Sequence, residues 1–127
     1  MPQHSCLLCL GSNYQRHTAM EAARKALSQH FPEIRFSKEM ETEAIGDKYL
    51  SPFSNQLAVL NTALSSGEVR TILKQIEKEN GRLPEDKEQG IVKLDIDLLI
   101  ADDRILKPDD LKKEFVQRGI QEIHYPI

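Results

Sequence analysis

The sequence predicts a single α+β domain over residues 1–127, with a ferredoxin-like order of strands and helices. Two observations carry this fold class. Two segments have apolar residues at helical spacing. The segments before and after them have the alternating or continuous apolar patterns of strands. Glycine, proline and asparagine mark the turns between these segments, which gives the order β-α-β-β-α-β. That order predicts an antiparallel sheet with helices packed on one of its faces.

The first strand and the first helix are predicted within the N-terminal thirty residues. Residues 6–10 are apolar on both alternating faces, which is typical of a central strand covered on both sides. Residues 11–13, Gly-Ser-Asn, supply a turn. Thr18 and Glu21 have the spacing of a capping box, so we expect a helix that begins there and ends near His30.

Two further strands are predicted in the middle of the chain. Residues 34–42 alternate strictly between apolar and mostly charged side chains, which indicates a half-buried strand. Residues 45–52 contain Gly, Asp and Pro and indicate a loop. Residues 53–64 then predict a long strand that carries Phe53 and Asn55 on one face.

The second helix and the last strand follow. Ser65 and Glu68 form a second capping box, and an apolar stripe at helical spacing continues to Ile76. Gly81 is the expected C-terminal cap of this helix. After a polar loop, residues 94–100 predict a strand, and residues 109–118 a short helix.

Composition and charge exclude several classes of partner. The net charge of -3 leaves no basic surface for nucleic acid as a main partner. No apolar run reaches the roughly 18–20 residues that span a bilayer, and no basic region precedes the apolar segment near the N-terminus. We therefore expect a cytoplasmic protein without a membrane partner. Nothing in the sequence indicates its oligomeric state.

Cys6 and Cys9 have the C-x-x-C spacing of some metal and redox sites. On a strand, however, residues three apart point to opposite faces, so the two thiols diverge. No second cysteine pair and no nearby pair of histidines completes a zinc site. We interpret both cysteines as small core residues.

Asp95 and Asp97 are the sharpest local signal for chemistry. Two residues apart on a strand, they lie ~6.5–7 Å apart on the same face. That spacing suits two magnesium ions, which prefer carboxylates together with phosphate oxygens. The alternative is a solvated strand face, but Leu99 continues this face as apolar.

Two more groups of residues are candidate ligand contacts. Phe53 offers a stacking surface, while Asn55 and Thr42 offer polar groups to a heterocycle. The alternative for Phe53 is a core position. Glu77 and Arg82 stand at the end of the second helix, where the alternative is a solvated helix end. Because neither a P-loop nor a G-x-G-x-x-G motif is present, an ATP site needs a different architecture.

Four short motifs in this order resemble one known family: Leu-Gly-Ser-Asn at 10–13, Glu-Thr-Glu-Ala-Ile-Gly at 41–46, Phe-Ser-Asn at 53–55 and Leu-Asp-Ile-Asp-Leu-Leu at 94–99. Together they are similar to the 6-hydroxymethyl-7,8-dihydropterin pyrophosphokinase family, over about residues 7–106. The resemblance implies a ferredoxin-like fold. It also implies an enzyme of folate biosynthesis that transfers pyrophosphate from ATP to the pterin hydroxymethyl group.

The resemblance also implies roles for individual residues. Asp95 and Asp97 would hold two magnesium ions that bridge the ATP phosphates, and Arg82 would act with them in catalysis. Glu77 and Arg82 would border the ATP site. The pterin would be held by four residues: Thr42, Ile45, Phe53 and Asn55.

Two regions depart from the family pattern. From Arg82 to Lys93 three cations are balanced by three carboxylates, and position 92 is Val where the family has Arg. The Pro-His segment of the family after the last strand is missing, and this chain has Asp-Asp-Leu-Lys-Lys-Glu-Phe at 109–115. Phe115 is the candidate for the second aromatic wall. The lysines that could replace the missing arginines are Lys87, Lys93, Lys112 and Lys113.

These departures leave two other functions open. The first alternative is a catalytically degenerate homologue that binds a pterin-like ligand, or regulates, without transferring a group. The second is a small ferredoxin-like interaction module that binds neither ligand.

Overall fold

In the computed structural model, residues 3–43 and 52–126 are described. They form one antiparallel sheet with helices on both faces. The strands of this part of the chain are β1 (His4–Ser12), β2 (Ile34–Phe36), β3 (Met40–Thr42), β4 (Phe53–Thr62), β5 (Asp95–Ala101) and β6 (Arg104–Ile105). Its helices are α1 (Arg16–His30), α2 (Ser66–Glu79), α3 (Pro108–Leu111) and α4 (Glu114–Glu122), and Pro84–Gln89 is a 3-10 helix.

The sheet has the strand order β2-β4-β1-β5-β6, and β3 continues the line of β2 along β4. The predicted α+β, ferredoxin-like class is therefore confirmed. β1 lies in the centre, where it pairs antiparallel with both β4 and β5. Because both of its faces are apolar, this strand stabilises two separate cores.

The larger core lies between the sheet and the helices α1 and α2. Strand residues such as Leu8, Leu10 and Leu60 pack there against Leu27 of α1 and Ile76 of α2, and all are at most 1% exposed. This is the helix-covered face that the order of elements predicts.

The opposite face carries a second core, which corrects the expectation of helices on one face only. Leu7, Leu57 and Leu99 point away from α1 and α2 and are completely buried beneath Val116 and Ile120 of α4. A strand with apolar residues on both faces needs cover on both sides. The C-terminal helix provides that second cover.

The predicted strand over residues 34–42 is divided into β2 and β3. At the break, the Ser37 amide donates to the Leu57 carbonyl at 2.9 Å, and the Ser37 hydroxyl accepts from the Leu57 amide at 2.9 Å. A side-chain oxygen thus replaces a main-chain carbonyl in the ladder. Leu57 of β4 therefore keeps both of its main-chain hydrogen bonds at the break.

Two helix predictions need correction. α1 begins at Arg16, after Gln15 in the left-handed region, so the capping box expected at Thr18 is not formed. The helix expected over residues 109–118 is instead divided into α3 and α4. Between them Lys113 is extended, with a ψ of 139°, and this bend allows both Leu111 and Val116 to reach the second core.

The remaining cap predictions are confirmed. The Ser65 hydroxyl accepts from the Glu68 amide, and the Glu68 carboxylate accepts from the Ser65 amide. Gly81 follows the helix end with a φ of 85°, in the left-handed region that favours glycine. Within residues 3–43 and 52–126, no helix is long and apolar enough to cross a bilayer.

Candidate functional site

A cavity of about 590 Å³ opens between the sheet and the start of α4. It brings together five of the residues that the sequence singles out. They come from β3, β4 and β5 and are Thr42, Phe53, Asn55, Asp95 and Asp97.

Strand register explains why these residues share one wall. Gly11 of β1 is paired with Asn55 on one side and with Asp95 on the other. Two strand spacings therefore separate Asn55 from Asp95, or about 10 Å between their backbones. Gly11 keeps the space between them clear, because a Cβ there would lie 3.1 Å from the Asn55 carboxamide oxygen.

One end of the cavity is a polar and aromatic corner. The side-chain nitrogen of the Asn55 carboxamide donates to the Thr42 hydroxyl at 2.6 Å, and Asn55 is only 7% exposed. Thr42 and Phe53 are directly paired between β3 and β4, which places the Phe53 ring next to this hydrogen bond. Ile45, the fourth residue of this predicted group, lies outside the described residues.

The other end of the cavity is formed by the aspartate pair. Burial and the negative charge of Asp95 raise the pKa of Asp97 to about 6. The two carboxylates therefore repel each other in a half-buried place, and a cation between them relieves that repulsion.

Arg82 supplies part of the positive charge that offsets the repulsion between these carboxylates. Its guanidinium lies 2.8 Å from the Asp95 carboxylate and 3.0 Å from that of Glu77. Glu77 is 3% exposed and accepts a hydrogen bond from the Ile96 amide at 2.7 Å. Burial raises the pKa of Glu77 in spite of Arg82.

Glu77 and Arg82 line a second concavity rather than the first. This groove, of about 580 Å³, runs along α2 and also includes Lys74, Gln75 and Lys78. The contact between Arg82 and Asp95 joins it to the cavity. The structure therefore divides the predicted site residues between two adjacent concavities.

The loop from 82 to 93 is fixed to the end of β1 by Asn13. The Asn13 carboxamide donates to the Gly90 carbonyl at 2.8 Å and accepts from the Val92 amide at 2.6 Å. Val92 itself lines the cavity. The sequence predicted a turn at residues 11–13, but β1 continues to Ser12. The Leu-Gly-Ser-Asn motif was noted as part of the family resemblance, without the role of Asn13 in holding this loop.

The C-terminal segment contributes the wall that faces the sheet. Phe115 and Lys113, candidates from the sequence, both line the cavity, and so does Arg118, which sequence reasoning missed. The spacing of three between Phe115 and Arg118 on a helix was the signal for that residue.

The oxygen donors of the aspartate pair fit magnesium that is shared with a substrate. Within residues 3–43 and 52–126, no three His, Cys, Asp or Glu side chains are grouped closely enough to hold a metal. Asp95 and Asp97 provide hard oxygen ligands from one strand face. Magnesium is commonly held by one or two carboxylates together with water and substrate phosphates, so this pair fits such shared ligation.

The chain is thus a ferredoxin-like α+β protein with a cavity between its sheet and α4. The model of one protein family, described as 7,8-dihydro-6-hydroxymethylpterin-pyrophosphokinase (HPPK), matches residues 7–125. The chain belongs to this family, which groups it with pyrophosphokinase-like transferases of folate biosynthesis.

Other comparisons add only distant similarities. No protein with a curated description matches the chain. The solution structure of the C-terminal domain of the MgtC protein from Mycobacterium tuberculosis has a TM-score of 0.43 and 7% identity, covering 75% of this chain and 86% of that one. The de novo designed protein LFR1 1, with a ferredoxin fold, has a TM-score of 0.33 and 13% identity, covering 84% of this chain and 90% of that one.

Proposed function

We propose that this chain transfers pyrophosphate from ATP to the hydroxymethyl group of 6-hydroxymethyl-7,8-dihydropterin, with magnesium. One observation carries the proposal beyond family membership. A single cavity holds a polar and aromatic corner at one end and a carboxylate pair at the other. A heterocycle and a metal-bound phosphate chain therefore have separate places within reach of each other.

The pterin is proposed to occupy the corner between β3, β4 and α4. Phe53 and Phe115 supply apolar walls for a flat ring. Asn55 is oriented by Thr42 and can exchange hydrogen bonds with the amide edge of the heterocycle. Ile45 belongs to the same proposed set.

Asp95 and Asp97 would hold the metal, and two ions are proposed. Bound magnesium would supply charge neutralisation for the phosphates. Glu77 fixes Arg82 at the mouth of the adjoining groove, where the triphosphate and nucleoside of ATP are proposed to lie. Arg82 can donate to phosphate oxygens from this position.

In the transfer itself, the pterin hydroxyl oxygen forms a bond to the β-phosphorus of ATP. The bond from that phosphorus to the oxygen shared with the α-phosphate breaks. AMP leaves with the electron pair, and the hydroxyl proton passes to solvent. The chain contributes alignment and positive charge to this step, which are the main requirements of phosphoryl transfer.

A second candidate function is pterin binding without transfer. The observation that favours it is the charge of the cavity wall, where Glu43, Asp110 and Glu114 add to the aspartate pair. Among the described residues that line the cavity, only Lys113 and Arg118 are cations. An acidic wall opposes a triphosphate unless metal ions neutralise it.

Turnover tests the proposed function directly. Purified protein is incubated with ATP, magnesium and the pterin, and AMP and the pterin pyrophosphate are measured. We expect product with the unaltered chain and none with Asp95→Asn combined with Asp97→Asn or with excess EDTA. The absence of AMP at every magnesium concentration contradicts the proposal.

Calorimetry separates the second candidate from the first. A non-hydrolysable ATP analogue is titrated with and without magnesium, and the pterin in a parallel experiment. Pterin binding without magnesium-dependent analogue binding favours the binding protein. Binding of both ligands favours the transferase.

A further inference from the structure

Two of the three cations of the loop over residues 82–93 contact carboxylates of the chain. Arg82 contacts Glu77 and Asp95. The Lys93 ammonium lies 3.4 Å from the Asp86 carboxylate and 3.2 Å from the Gly81 carbonyl. None of the three cations of this loop, Arg82, Lys87 and Lys93, is among the described residues that line the cavity, so positive charge on the cavity wall comes from another element.

Lys113 lies at the bend between α3 and α4 and lines the cavity. Its ammonium is 3.1 Å from the carboxylate of Asp110, which precedes it by nearly one helical turn and lines the same cavity. Burial lowers the pKa of Lys113, but the hydrogen bond to Asp110 and the charges of Asp110 and Asp97 raise it on balance. Lys113 is thus a charged group on the β5 side, near the aspartate pair.

Arg118, the other cation among the described residues of the cavity wall, is placed toward the opposite side. It follows Phe115 by three residues on α4, and just after that helix the Ile123 carbonyl accepts from the Arg35 guanidinium of β2 at 3.2 Å. There Glu122 accepts from the Lys38 amide at 2.7 Å. The two cations therefore serve different ends of the cavity, and the one at the carboxylate end is Lys113.

We propose that Lys113 is a catalytic residue that donates hydrogen bonds to the transferred phosphate groups, and that Asp110 is the positioning residue that orients it. This inference rests on the proposed function. As the bond between the β-phosphorus and the shared oxygen breaks, its electron pair leaves with AMP. Lys113 keeps its proton and balances the charge on the non-bridging oxygens.

A matched pair of variants tests the role of Lys113. Lys112 is adjacent, has an 80% exposed side chain and is not part of the cavity wall, so Lys112→Met is the control for Lys113→Met. Loss of a charged hydrogen bond predicts about 10- to 100-fold weaker binding of the magnesium complex of an ATP analogue to Lys113→Met. We expect a similar loss in kcat, with the pterin Kd and the Tm unchanged. Lys112→Met should match the unaltered chain.

Asp110→Asn tests the positioning role. We expect it to weaken analogue binding less than Lys113→Met does, and the double variant to behave like Lys113→Met alone, because the two residues act as one unit. Lys113→Arg keeps the charge and should restore part of the binding. Additive losses in the double variant contradict the role of Asp110.

The outcomes distinguish this inference from the proposed function. Turnover by the unaltered chain, with Lys113→Met equal to Lys112→Met in analogue binding and kcat, overturns the inference alone. Selective loss of analogue binding in Lys113→Met, in a chain that makes no product, supports the phosphate contact and overturns the proposed function alone. Equal losses of pterin and analogue binding would assign Lys113 a structural role and overturn the inference.

Discussion

At the scale of single residues, Arg82 connects two concavities through one guanidinium. It contacts the buried carboxylate of Glu77 and the more exposed one of Asp95. Of these two carboxylates, that of Glu77 cannot turn toward water, because Glu77 is 3% exposed and its carboxylate accepts a hydrogen bond from the Ile96 amide. Arg82 therefore has a structural role, in addition to its proposed role as a hydrogen-bond donor to the phosphates of ATP.

Removal of that guanidinium should lower stability. Arg82→Met leaves Glu77 buried without this cation, and the free energy of unfolding should fall by about 1–2 kcal/mol, since Arg82 is itself partly exposed. Urea denaturation measures the change. Lys78→Met, which alters an exposed residue of the same groove, should change it by less than about 0.5 kcal/mol. A loss no larger than that control contradicts the structural role of Arg82.

The cysteines give a second prediction at this scale. Burial raises the pKa of Cys6 to about 11 and that of Cys9 to about 12, from an ordinary value of 9.0. Both thiols should react slowly with iodoacetamide at pH 8, and rapidly once the chain is unfolded in guanidinium. Above about pH 9 the unfolded thiols lose their protons first, so the free energy of unfolding should fall as the pH rises. Rapid alkylation of the native chain, followed by mass spectrometry, would disprove the prediction.

Sequence alone could place the cavity residues of the sheet, whereas it offered Phe115 and Lys113 on the facing wall only as candidates without a position. The period of two along a strand puts Phe53 with Asn55 and Asp95 with Asp97, whatever the rest of the fold does. The position of Lys113 depends on where α4 docks, which no local pattern specifies. The divergence of Cys6 and Cys9 was predicted, but Cys9 lies on the cavity wall rather than inside a core.

At the scale of elements, the break between β2 and β3 shows how a strand prediction fails locally. The alternation over residues 34–42 is real, yet Ser37 offers its hydroxyl to the Leu57 amide and interrupts the ladder. A serine hydroxyl competes with main-chain acceptors in this way. The alternation of apolar and polar residues does not show this competition, so it does not predict the break at Ser37.

Ser37→Ala should destabilise the sheet. Ser37 is 3% exposed, and its loss leaves the Leu57 amide buried without an acceptor, at a cost of about 1–3 kcal/mol. Thermal and urea unfolding measure the effect. Ser28→Ala, on the exposed side of α1, is the control and should be neutral or slightly stabilising. Equal stability of the two variants would refute the assigned role of Ser37.

The packing of α4 depends on the absence of a side chain at Gly119. A Cβ there would lie 2.6 Å from Leu57 Cδ1 and 2.7 Å from its Cγ, so either the helix or the core must move. Gly119→Ala should therefore lower the free energy of unfolding by about 1–3 kcal/mol, although alanine favours a helix. It should also weaken pterin binding, because Phe115 lies on the same helix.

The matched control for that variant is Gly67→Ala. Its added Cβ would meet nothing closer than 3.9 Å, so the change should be neutral or stabilise by up to about 1 kcal/mol. Unfolding curves and pterin titrations of both variants provide the comparison. Retention of full stability and pterin affinity by Gly119→Ala would mean that α4 accommodates the extra carbon.

At the scale of the whole molecule, the protein is a three-layer arrangement in which the sheet separates two cores. The sequence predicted that residues 6–10 are covered on both sides, but assigned helices to one face only. The structure resolves this conflict, because α4 covers the other face. Which segment supplies the second cover is decided by tertiary packing, since an apolar helix face does not specify its partner.

Ligand binding should therefore stabilise the whole fold, because the cavity is formed by two layers. If the pterin binds only the folded chain, a concentration of 100 times its Kd raises the free energy of unfolding by about 2.7 kcal/mol. A thermal shift with the pterin, and none with an unrelated aromatic compound, is the expected measurement. EDTA should not change the increase in Tm caused by the pterin, and it should abolish any increase in Tm caused by ATP with magnesium. No pterin shift would argue against a site between the layers.

The alternation of β5 has a consequence for errors in folding. Asp95 and Asp97 alternate with the core residues Ile96 and Leu98 on one strand. A slip of one residue would turn the carboxylates into the larger core and the side chains of Ile96 and Leu98 into the cavity. A misregistered chain would thus lose its core and its carboxylate pair together. A metal that binds both carboxylates would therefore stabilise the correct register of β5, because only that register places the two carboxylates together on the cavity side.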